Sequence, residues 1–267
     1  MCGISFYCSS ITHYADELDL SLDRIYHRGP DSQGVLIEDC GKFSIGIGHN
    51  RLSIIDLSIA ASQPMISLSS TIIAFNGEVY NFKQLRSDLK KNGAVFNSSS
   101  DTEVVLQLFD KYGVESFGML SGIFSFVLLD KIAKRLYVVR DFIGVKPIYI
   151  HQDHSELYGS SEIKGLLAYK NVRNDIDETD VFEFFNQGNL YEPNTGYKFI
   201  KKIPPCHYLE LDLLNLDSSI KKYKKNIELP LDGDLERIIQ SAVVEQHVAD
   251  VPVGLFFSGG TDSSILA

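Results

Sequence analysis

The feature of the sequence that most constrains its fold is a run of three apolar segments with almost no chain between them. These segments are 123–130, 135–140 and 147–151. Their spacing leaves no room for the crossover helix that joins two parallel strands, so it predicts antiparallel sheets. Further strands are predicted at 3–7, 42–49 and 71–75. The last of these precedes Asn76-Gly77, a pair typical of turns.

Helices are predicted between the strands. Apolar residues recur at helical spacing within 82–89 and 105–112. The first stretch is followed by Asn92-Gly93 and the second by Gly113, both typical helix stops. Asp101, with the serines before it, stands where a helix-capping residue belongs. Strands covered by helices on two faces predict an α+β sandwich.

The composition changes near residue 213. The stretch 214–230 is polar and rich in lysine, which is typical of a linker. Beyond it, 235–242 has a helical pattern and 253–257 a strand pattern, followed by a Gly- and Ser-rich loop and the start of an apolar helix. These pieces cannot cover both faces of a parallel sheet, so the second domain is predicted to be incomplete in this chain.

The charge and the cysteines exclude several classes of function. Lys and Arg number 25 against 35 Asp and Glu, a net charge of −10, which disfavours binding to nucleic acid or to an anionic membrane. No stretch approaches the ~18 apolar residues of a membrane helix, and the first residues do not resemble a signal peptide. The four cysteines are scattered without a C-x-x-C pair, so a zinc site or a disulfide scaffold is not expected. The sequence predicts a cytoplasmic protein.

Cys2 offers a nucleophile at the start of the chain. If Met1 is removed, Cys2 carries both a thiol and a free α-amine. Because such an amine titrates near about 7.7–8.0, part of it is an unprotonated base at neutral pH. It can take the thiol proton, directly or through a water, and return it to a leaving amine. A cysteine at position 2 has no such meaning on its own.

Five other polar groups complete a set suited to a free amino acid. The Asn76 amide and a backbone N–H at Gly77 can stabilise an oxyanion. Arg51 can bind a carboxylate with two N–H groups, while Glu78 and Asp101 can accept hydrogen bonds from an α-ammonium group. Each residue also has an ordinary structural explanation, as part of a turn, a helix cap or a surface ion pair.

Residues 258–264, Ser-Gly-Gly-Thr-Asp-Ser-Ser, stand between the predicted strand and the helix that follows it. Glycines let backbone N–H groups approach a phosphate, and hydroxyls add donors. The lysine of the common G-x-x-x-x-G-K-[ST] phosphate loop is missing, so this is a different motif.

Eight segments together resemble the glutamine-hydrolysing asparagine synthetase family. They are 1–4 (MCGI), 27–31 (HRGPD), 48–56 (GHNRLSIID), 75–81 (FNGEVYN), 100–103 (SDTE), 140–147 (RDFIGVKP), 161–164 (SEIK) and 250–257 (DVPVGLFF). The resemblance covers essentially the whole chain in the order of the family. Cys206, where the family usually has glycine, and Thr261 depart from its pattern.

The resemblance implies a class II glutamine amidotransferase domain over residues 2–212, with the four-layer αββα sandwich of the N-terminal-nucleophile hydrolases. A linker at 213–230 and the incomplete start of an α/β ATP-pyrophosphatase domain at 231–267 would follow. Cys2 resembles the nucleophile, and Asn76 and Gly77 resemble the oxyanion hole. The implied glutamine site comprises Arg51 as carboxylate clamp, Leu52, Ile54 and Ile55 as lining, and Glu78 and Asp101 as holders of the α-amino group.

The resemblance also implies the start of an ATP site, made of Phe256, Ser258, Gly259, Gly260, Asp262 and Ser263. Asp262 would help to hold Mg²⁺, so ATP and Mg²⁺ are the cofactors expected of the complete protein. No cofactor is expected for glutamine hydrolysis itself.

We therefore expect an enzyme that hydrolyses L-glutamine and supplies ammonia for asparagine synthesis from aspartate in a complete protein. Ligase activity is not expected from this chain alone. Two alternatives stay open: amidation of another acceptor, such as a surface-polysaccharide sugar, and a glutamine-binding fragment without turnover. A homodimer is possible, and no nucleic-acid or membrane partner is expected.

Overall fold

In the computed structural model, the described residues form twelve strands in two antiparallel sheets of six strands each. The structure describes residues 1–10, 14–153, 155–224 and 235–267. The strands are β1 Gly3–Ser9, β2 Ser32–Asp39, β3 Ser44–Arg51, β4 Met65–Ile66, β5 Ile72–Val79, β6 Gly122–Asp130, β7 Arg135–Arg140, β8 Tyr149–Gln152, β9 Glu156–Ser160, β10 Ile200–Lys202, β11 His207–Asp212 and β12 Ser218–Lys222. One sheet has the order β10-β8-β9-β1-β3-β2 and the other β12-β11-β7-β6-β5-β4. The prediction of antiparallel sheets is confirmed.

The helices are α1 Ala15–Arg24, α2 Phe82–Lys91, α3 Asp101–Tyr112, α4 Ile163–Leu166, α5 Glu178–Gln187, α6 Leu235–Glu245 and α7 Thr261–Leu266. The first four cover the outer faces of the two sheets, whereas α6 and α7 have no buried residue. Leu18 of α1 and Leu166 of α4 pack with Tyr7 on the first sheet, whereas α2 and α3 pack on the second. A third apolar cluster fills the space between the sheets, which completes the predicted αββα layers. Within the described ranges, no helix has the length and apolar character needed to cross a membrane.

Strand β5 is buried on both of its faces. Ile72 and Ala74 contribute to the cluster between the sheets, whereas Ile73 and Phe75 contribute to the cluster under α2 and α3. Because side chains alternate along a strand, Asn76 follows Ile72 and Ala74 on the face that points between the sheets.

The predicted turn at Asn76-Gly77 is wrong. Both residues lie inside β5 and pair with Ser125 and Phe124 of β6. Gly77 is required because a Cβ atom there would lie 2.1 Å from the Ile123 carbonyl oxygen, and its φ is 150°. Pairing with a distant strand thus overrides the local preference of the dipeptide for a turn.

The cap of α3 also differs from the prediction. Ser100, not Asp101, is the N-cap residue, and its hydroxyl accepts a hydrogen bond from the Glu103 N–H at 3.3 Å. Asp101 is the first residue of the helix, and its carboxylate accepts the Val79 N–H at 2.9 Å. The side chain therefore ties α3 to the end of β5.

The stretch predicted as a linker contains the edge strand β12, which pairs with β11. Its side chains are exposed and two of its five residues are lysines, a composition typical of edge strands and easily mistaken for a linker. Tyr223, which follows, is buried and donates a hydrogen bond to the Arg140 carbonyl at 3.0 Å. Residues 225–230 of the predicted linker and 231–234 of the predicted second domain lie outside the described residues, and the boundaries at 212 and 230 stay predictions.

The predicted strand at 253–257 is not formed, since this stretch is irregular and exposed. A strand needs a neighbour to receive its backbone hydrogen bonds, and none pairs with it in the described part of the chain. The predicted helices on either side are confirmed as α6 and α7.

The structure shows how Cys206 fits a position where the family usually has glycine. Its φ is 63°, in the left-handed region that favours glycine. Its thiol donates a hydrogen bond to the Tyr223 carbonyl at 3.3 Å, so the side chain contributes a contact that a glycine would lack.

Candidate active site

One cleft opens at the edge where β1 begins and β3 ends. The antiparallel register pairs Gly3 with Asn50, and this brings Cys2 next to Arg51 and Leu52. All nine residues predicted for catalysis and glutamine binding line this cleft: Cys2, Arg51, Leu52, Ile54, Ile55, Asn76, Gly77, Glu78 and Asp101. Their roles stay predictions, but residues separated by 99 positions in the sequence are neighbours in the structure.

The Cys2 thiol lies against the backbone of Leu52. Sγ accepts the Leu52 N–H at 3.4 Å and lies 3.7 Å from the Leu52 carbonyl oxygen. Burial raises the pKa of the thiol, although the Leu52 N–H and the nearby N-terminal ammonium partly oppose this. The thiol therefore needs a base before it can act as a nucleophile.

Arg28 fixes the backbone of Cys2, a role that the spacing of the sequence gave no means to predict. Its Nε donates to the Cys2 carbonyl at 2.9 Å and its Nη1 donates to Glu162 at 2.9 Å. The Ile4 N–H, two residues further on, donates to the Ser161 hydroxyl at 3.0 Å. The first residues of the chain are thus held by two distant segments, 27–31 and 161–164.

The Asn76 amide has no hydrogen-bond partner in the part of the chain that the structure describes. The side chain is fully buried, and neither its Nδ2 nor its Oδ1 contacts a donor or acceptor among the residues described. A buried amide without partners is costly, so such groups are usually satisfied by a ligand or water. The Asn76 amide lines the same cleft as the Cys2 thiol.

Arg51 is buried and oriented by the loop that follows it. Its Nη1 donates to the Ser58 carbonyl at 3.0 Å, and its Nη2 donates to the Asp56 carbonyl. Both partners are neutral carbonyl groups, so the positive charge keeps its capacity to attract an anion.

Two carboxyl groups also line the cleft. Burial, with the charge of Glu78, raises the pKa of Asp101 to about 6, and the N–H groups of Val79 and Thr102 limit the rise. Burial also raises the pKa of Glu78, while Lys146 and the N-terminus oppose the shift. The cleft therefore combines a guanidinium group with two carboxyl groups, as the charges of a free amino acid require.

The cleft includes residues that were not predicted. Lys146 lies within the quoted segment 140–147, but no spacing indicated that it would reach the N-terminus, where its Nζ lies 2.8 Å from Met1 Sδ. Gln63 links the two sides of the cleft, since its Nε2 donates to the Thr102 hydroxyl at 3.2 Å and its Oε1 accepts the Phe75 N–H at 2.6 Å.

The residues predicted for ATP lie away from the cleft. Phe256 is 99% exposed, and Ser258, Gly259, Gly260, Asp262 and Ser263 are on the surface around the start of α7. The Ser258 hydroxyl lies 3.1 Å from the Ser263 hydroxyl. In the described part of the chain, no cluster of three or more His, Cys, Asp or Glu residues could hold a metal ion.

A family model for the glutamine amidotransferase domain matches residues 1–224. The chain belongs to the glutamine amidotransferase family. A second model, for asparagine synthase, matches residues 234–267, which follow the amidotransferase domain.

Curated relatives agree with this assignment. Asparagine synthetase [glutamine-hydrolyzing] 3 of Bacillus subtilis is 33% identical over all of this chain and 44% of its own length. Amidase chyE of Penicillium rubens is 35% identical over all of this chain and 42% of its own length. The resemblance to glutamine-hydrolysing asparagine synthetases is confirmed, and the chain spans less than half the length of these relatives.

A solved structure shares the fold. Glutamine phosphoribosylpyrophosphate amidotransferase from Bacillus subtilis superposes with a TM-score of 0.61 at 19% identity, covering 85% of this chain and 50% of that one. The likeness confirms the αββα sandwich of this amidotransferase domain.

Proposed function

We propose that the cleft hydrolyses L-glutamine to glutamate and ammonia through a thioester on Cys2. The observation that carries the proposal is the Asn76 amide, which is buried without a partner among the described residues in the cleft that also holds the Cys2 thiol. An unpaired donor beside a nucleophile is what the oxyanion of an acyl-transfer reaction requires.

Removal of Met1 is the first step of the proposed mechanism, because it makes the Cys2 nitrogen an α-amine. Burial, with the nearby charges of Arg28 and Lys146, lowers the pKa of the Met1 amine. The α-amine of Cys2 would lie in the same surroundings, and a lowered pKa would keep it unprotonated at neutral pH. It would then accept the thiol proton.

The thiolate would next attack the γ-carbonyl carbon of glutamine, and the carbonyl oxygen would take the negative charge. Asn76 Nδ2 and the Gly77 N–H would donate to that oxygen. Collapse of the intermediate would break the C–N bond, and the α-ammonium group of Cys2 would protonate the leaving ammonia. A water molecule would then hydrolyse the thioester to glutamate and restore the thiol.

For a protein of the relatives' full length, we propose that the ammonia is used for amidation with ATP. Hydroxyl and N–H donors at Ser258, Gly260 and Ser263 fit a phosphate acceptor, and Asp262 would help to hold Mg²⁺. ATP would supply the energy to activate a carboxylate. Aspartate is the proposed acceptor because relatives named asparagine synthetases match the chain along its whole length. The relative named as an amidase favours another acceptor as the second candidate.

The experiment that tests the proposal measures glutamate and ammonia released by the purified chain, with mass spectrometry of its N-terminus. We expect turnover in proportion to the fraction of molecules that begin at Cys2. A homogeneous sample that retains Met1 should be inactive. Turnover by that sample would contradict the mechanism, and binding without turnover by the processed chain would leave a glutamine-binding fragment.

Replacing Asp101 with alanine should weaken glutamine binding. Hydrogen bonds to charged groups contribute about 1.5–3 kcal/mol, so the Kd for glutamine should rise roughly ten- to a hundredfold. Because Asp101 has a pKa of about 6 and must be ionised to hold an ammonium group, the Kd should also rise as the pH falls through 6. Titration calorimetry of a Cys2→Ala chain with and without Asp101→Ala measures both effects.

The exposed Glu115→Ala should leave the affinity unchanged. If Asp101→Ala left the Kd for glutamine unchanged, another group would bind the ammonium. The same conclusion would follow if the Kd of the Asp101→Ala chain still rose as the pH falls through 6.

A further inference from the structure

The segment between α6 and α7 contacts the wall of the glutamine cleft through residues 248–250. The Asp250 N–H donates to the Ile54 carbonyl at 2.8 Å. The Asp250 carboxylate in turn accepts the Asp56 N–H at 2.7 Å. Val248, two residues earlier, packs against the apolar cluster that includes Ile55. Asp250 therefore holds both ends of the short stretch 54–56, whose first two side chains line the cleft.

Asp56 connects Asp250 to Arg51. The Asp56 carbonyl accepts from Arg51 Nη2, and the Ser58 carbonyl, two residues further on, accepts from Arg51 Nη1 at 3.0 Å. Asp56 also binds Ser58 directly, since its Oδ1 accepts the Ser58 N–H at 2.9 Å. The two hydrogen bonds that aim the guanidinium group thus both depend on the position of residues 56–58.

Asp56 also reaches the opposite end of the cleft. Its Oδ2 accepts the Ser99 N–H at 2.6 Å, next to the Ser100 cap of the helix that begins with Asp101. Burial raises the pKa of Asp56, but the hydrogen bonds from Ser58 and Ser99 outweigh it and leave the pKa at about 2. The Asp56 carboxylate is therefore ionised and bonded to Ser58 and Ser99, and Asp250 contacts the backbone of Asp56.

We infer that Asp250 is a positioning residue for glutamine: through its hydrogen bonds to residues 54 and 56 it orients Arg51, and it couples the segment that matches asparagine synthase to the affinity of the amidotransferase cleft. This inference rests on the proposed function. Coupling between two sites is reciprocal, so glutamine in the cleft should also hold residues 248–250 in place.

The test compares Asp250→Ala with Asp250→Asn and with Glu245→Ala, an exposed acidic residue of α6. The net contribution of one ordinary hydrogen bond corresponds to a roughly three- to tenfold change in a binding constant. We expect Asp250→Ala to raise the KM for glutamine by that factor while kcat is unchanged, because Arg51 binds the substrate equally in the ground and transition states. Asp250→Asn, which keeps an acceptor oxygen, should recover most of the affinity, and Glu245→Ala should match the parent.

The same variants on a Cys2→Ala chain should show the same pattern in the Kd measured by calorimetry. A KM for Asp250→Ala equal to that of the parent, or a fall in kcat at unchanged KM, would overturn the inference while the proposed function stands. A parent chain beginning at Cys2 that releases no glutamate would instead overturn the proposed function.

Hydrogen exchange keeps the inference testable if Asp250→Ala does not fold. Saturating glutamine should slow amide exchange in peptides that cover 248–251 of the Cys2→Ala chain, because the Asp250 N–H is bonded to Ile54. Unchanged exchange at these residues, with glutamine bound, would refute the coupling.

Discussion

Cys2→Ala should abolish glutamine hydrolysis and leave glutamine binding intact. The substitution removes the only atom proposed to bond to the γ-carbonyl carbon, and removal of a nucleophile typically lowers kcat by a factor on the order of 10⁴ or more. Arg51, Glu78 and Asp101, which are proposed to bind the two charged groups of the amino acid, remain in the cleft. The Kd for glutamine is therefore expected to change by less than about threefold, since the thiol contributes little to binding in the ground state.

Glutamate release and calorimetry on the same preparations measure the two effects. Cys40→Ala is the matched control, because Cys40 is also partly exposed but does not line the cleft. It should retain full activity. Residual turnover by Cys2→Ala above about one per cent of the parent would assign the chemistry to another group, and loss of binding would mean that the substitution disturbs the cleft.

The fold could be predicted where it depends on the spacing of apolar residues within a segment or on the length of chain between segments. Short gaps between 123–130, 135–140 and 147–151 predicted antiparallel pairing because a parallel crossover needs more chain. Helices α2 and α3 are predicted from apolar spacing, and they end just before the Asn92-Gly93 pair and Gly113. The local sequence could not reveal that Asn76-Gly77 forms strand rather than a turn, since the strand conformation there depends on partners in β6 that lie 47 and 49 residues away along the chain.

The candidate site divides in the same way. Residues that would touch glutamine have chemical groups suited to an amino acid, so their types and the family pattern indicated them. Residues that hold those groups in position were missed. Arg28 holds Cys2 through the main-chain carbonyl of that residue, and Asp56 orients Arg51 through a main-chain carbonyl. Such roles depend on where the backbone lies, and any residue type with a suitable donor or carbonyl could fill them.

Asn76→Ala should lower kcat for glutamine hydrolysis roughly 10²- to 10³-fold with little change in Kd, the cost typical of losing one oxyanion donor. The amide is proposed to donate to charge that exists only in the transition state, so its loss should not affect ground-state binding. The fold should tolerate the change because the amide has no partner among the described residues, and the urea midpoint checks this.

Asn92→Ala, at the exposed end of α2, is the control and should keep the parent kcat. Steady-state kinetics on chains shown by mass spectrometry to begin at Cys2 measures kcat, and calorimetry on the Cys2→Ala background measures Kd. A parent-like kcat for Asn76→Ala would remove the amide from the oxyanion site, whereas a rise in Kd at constant kcat would make it a group that binds the substrate.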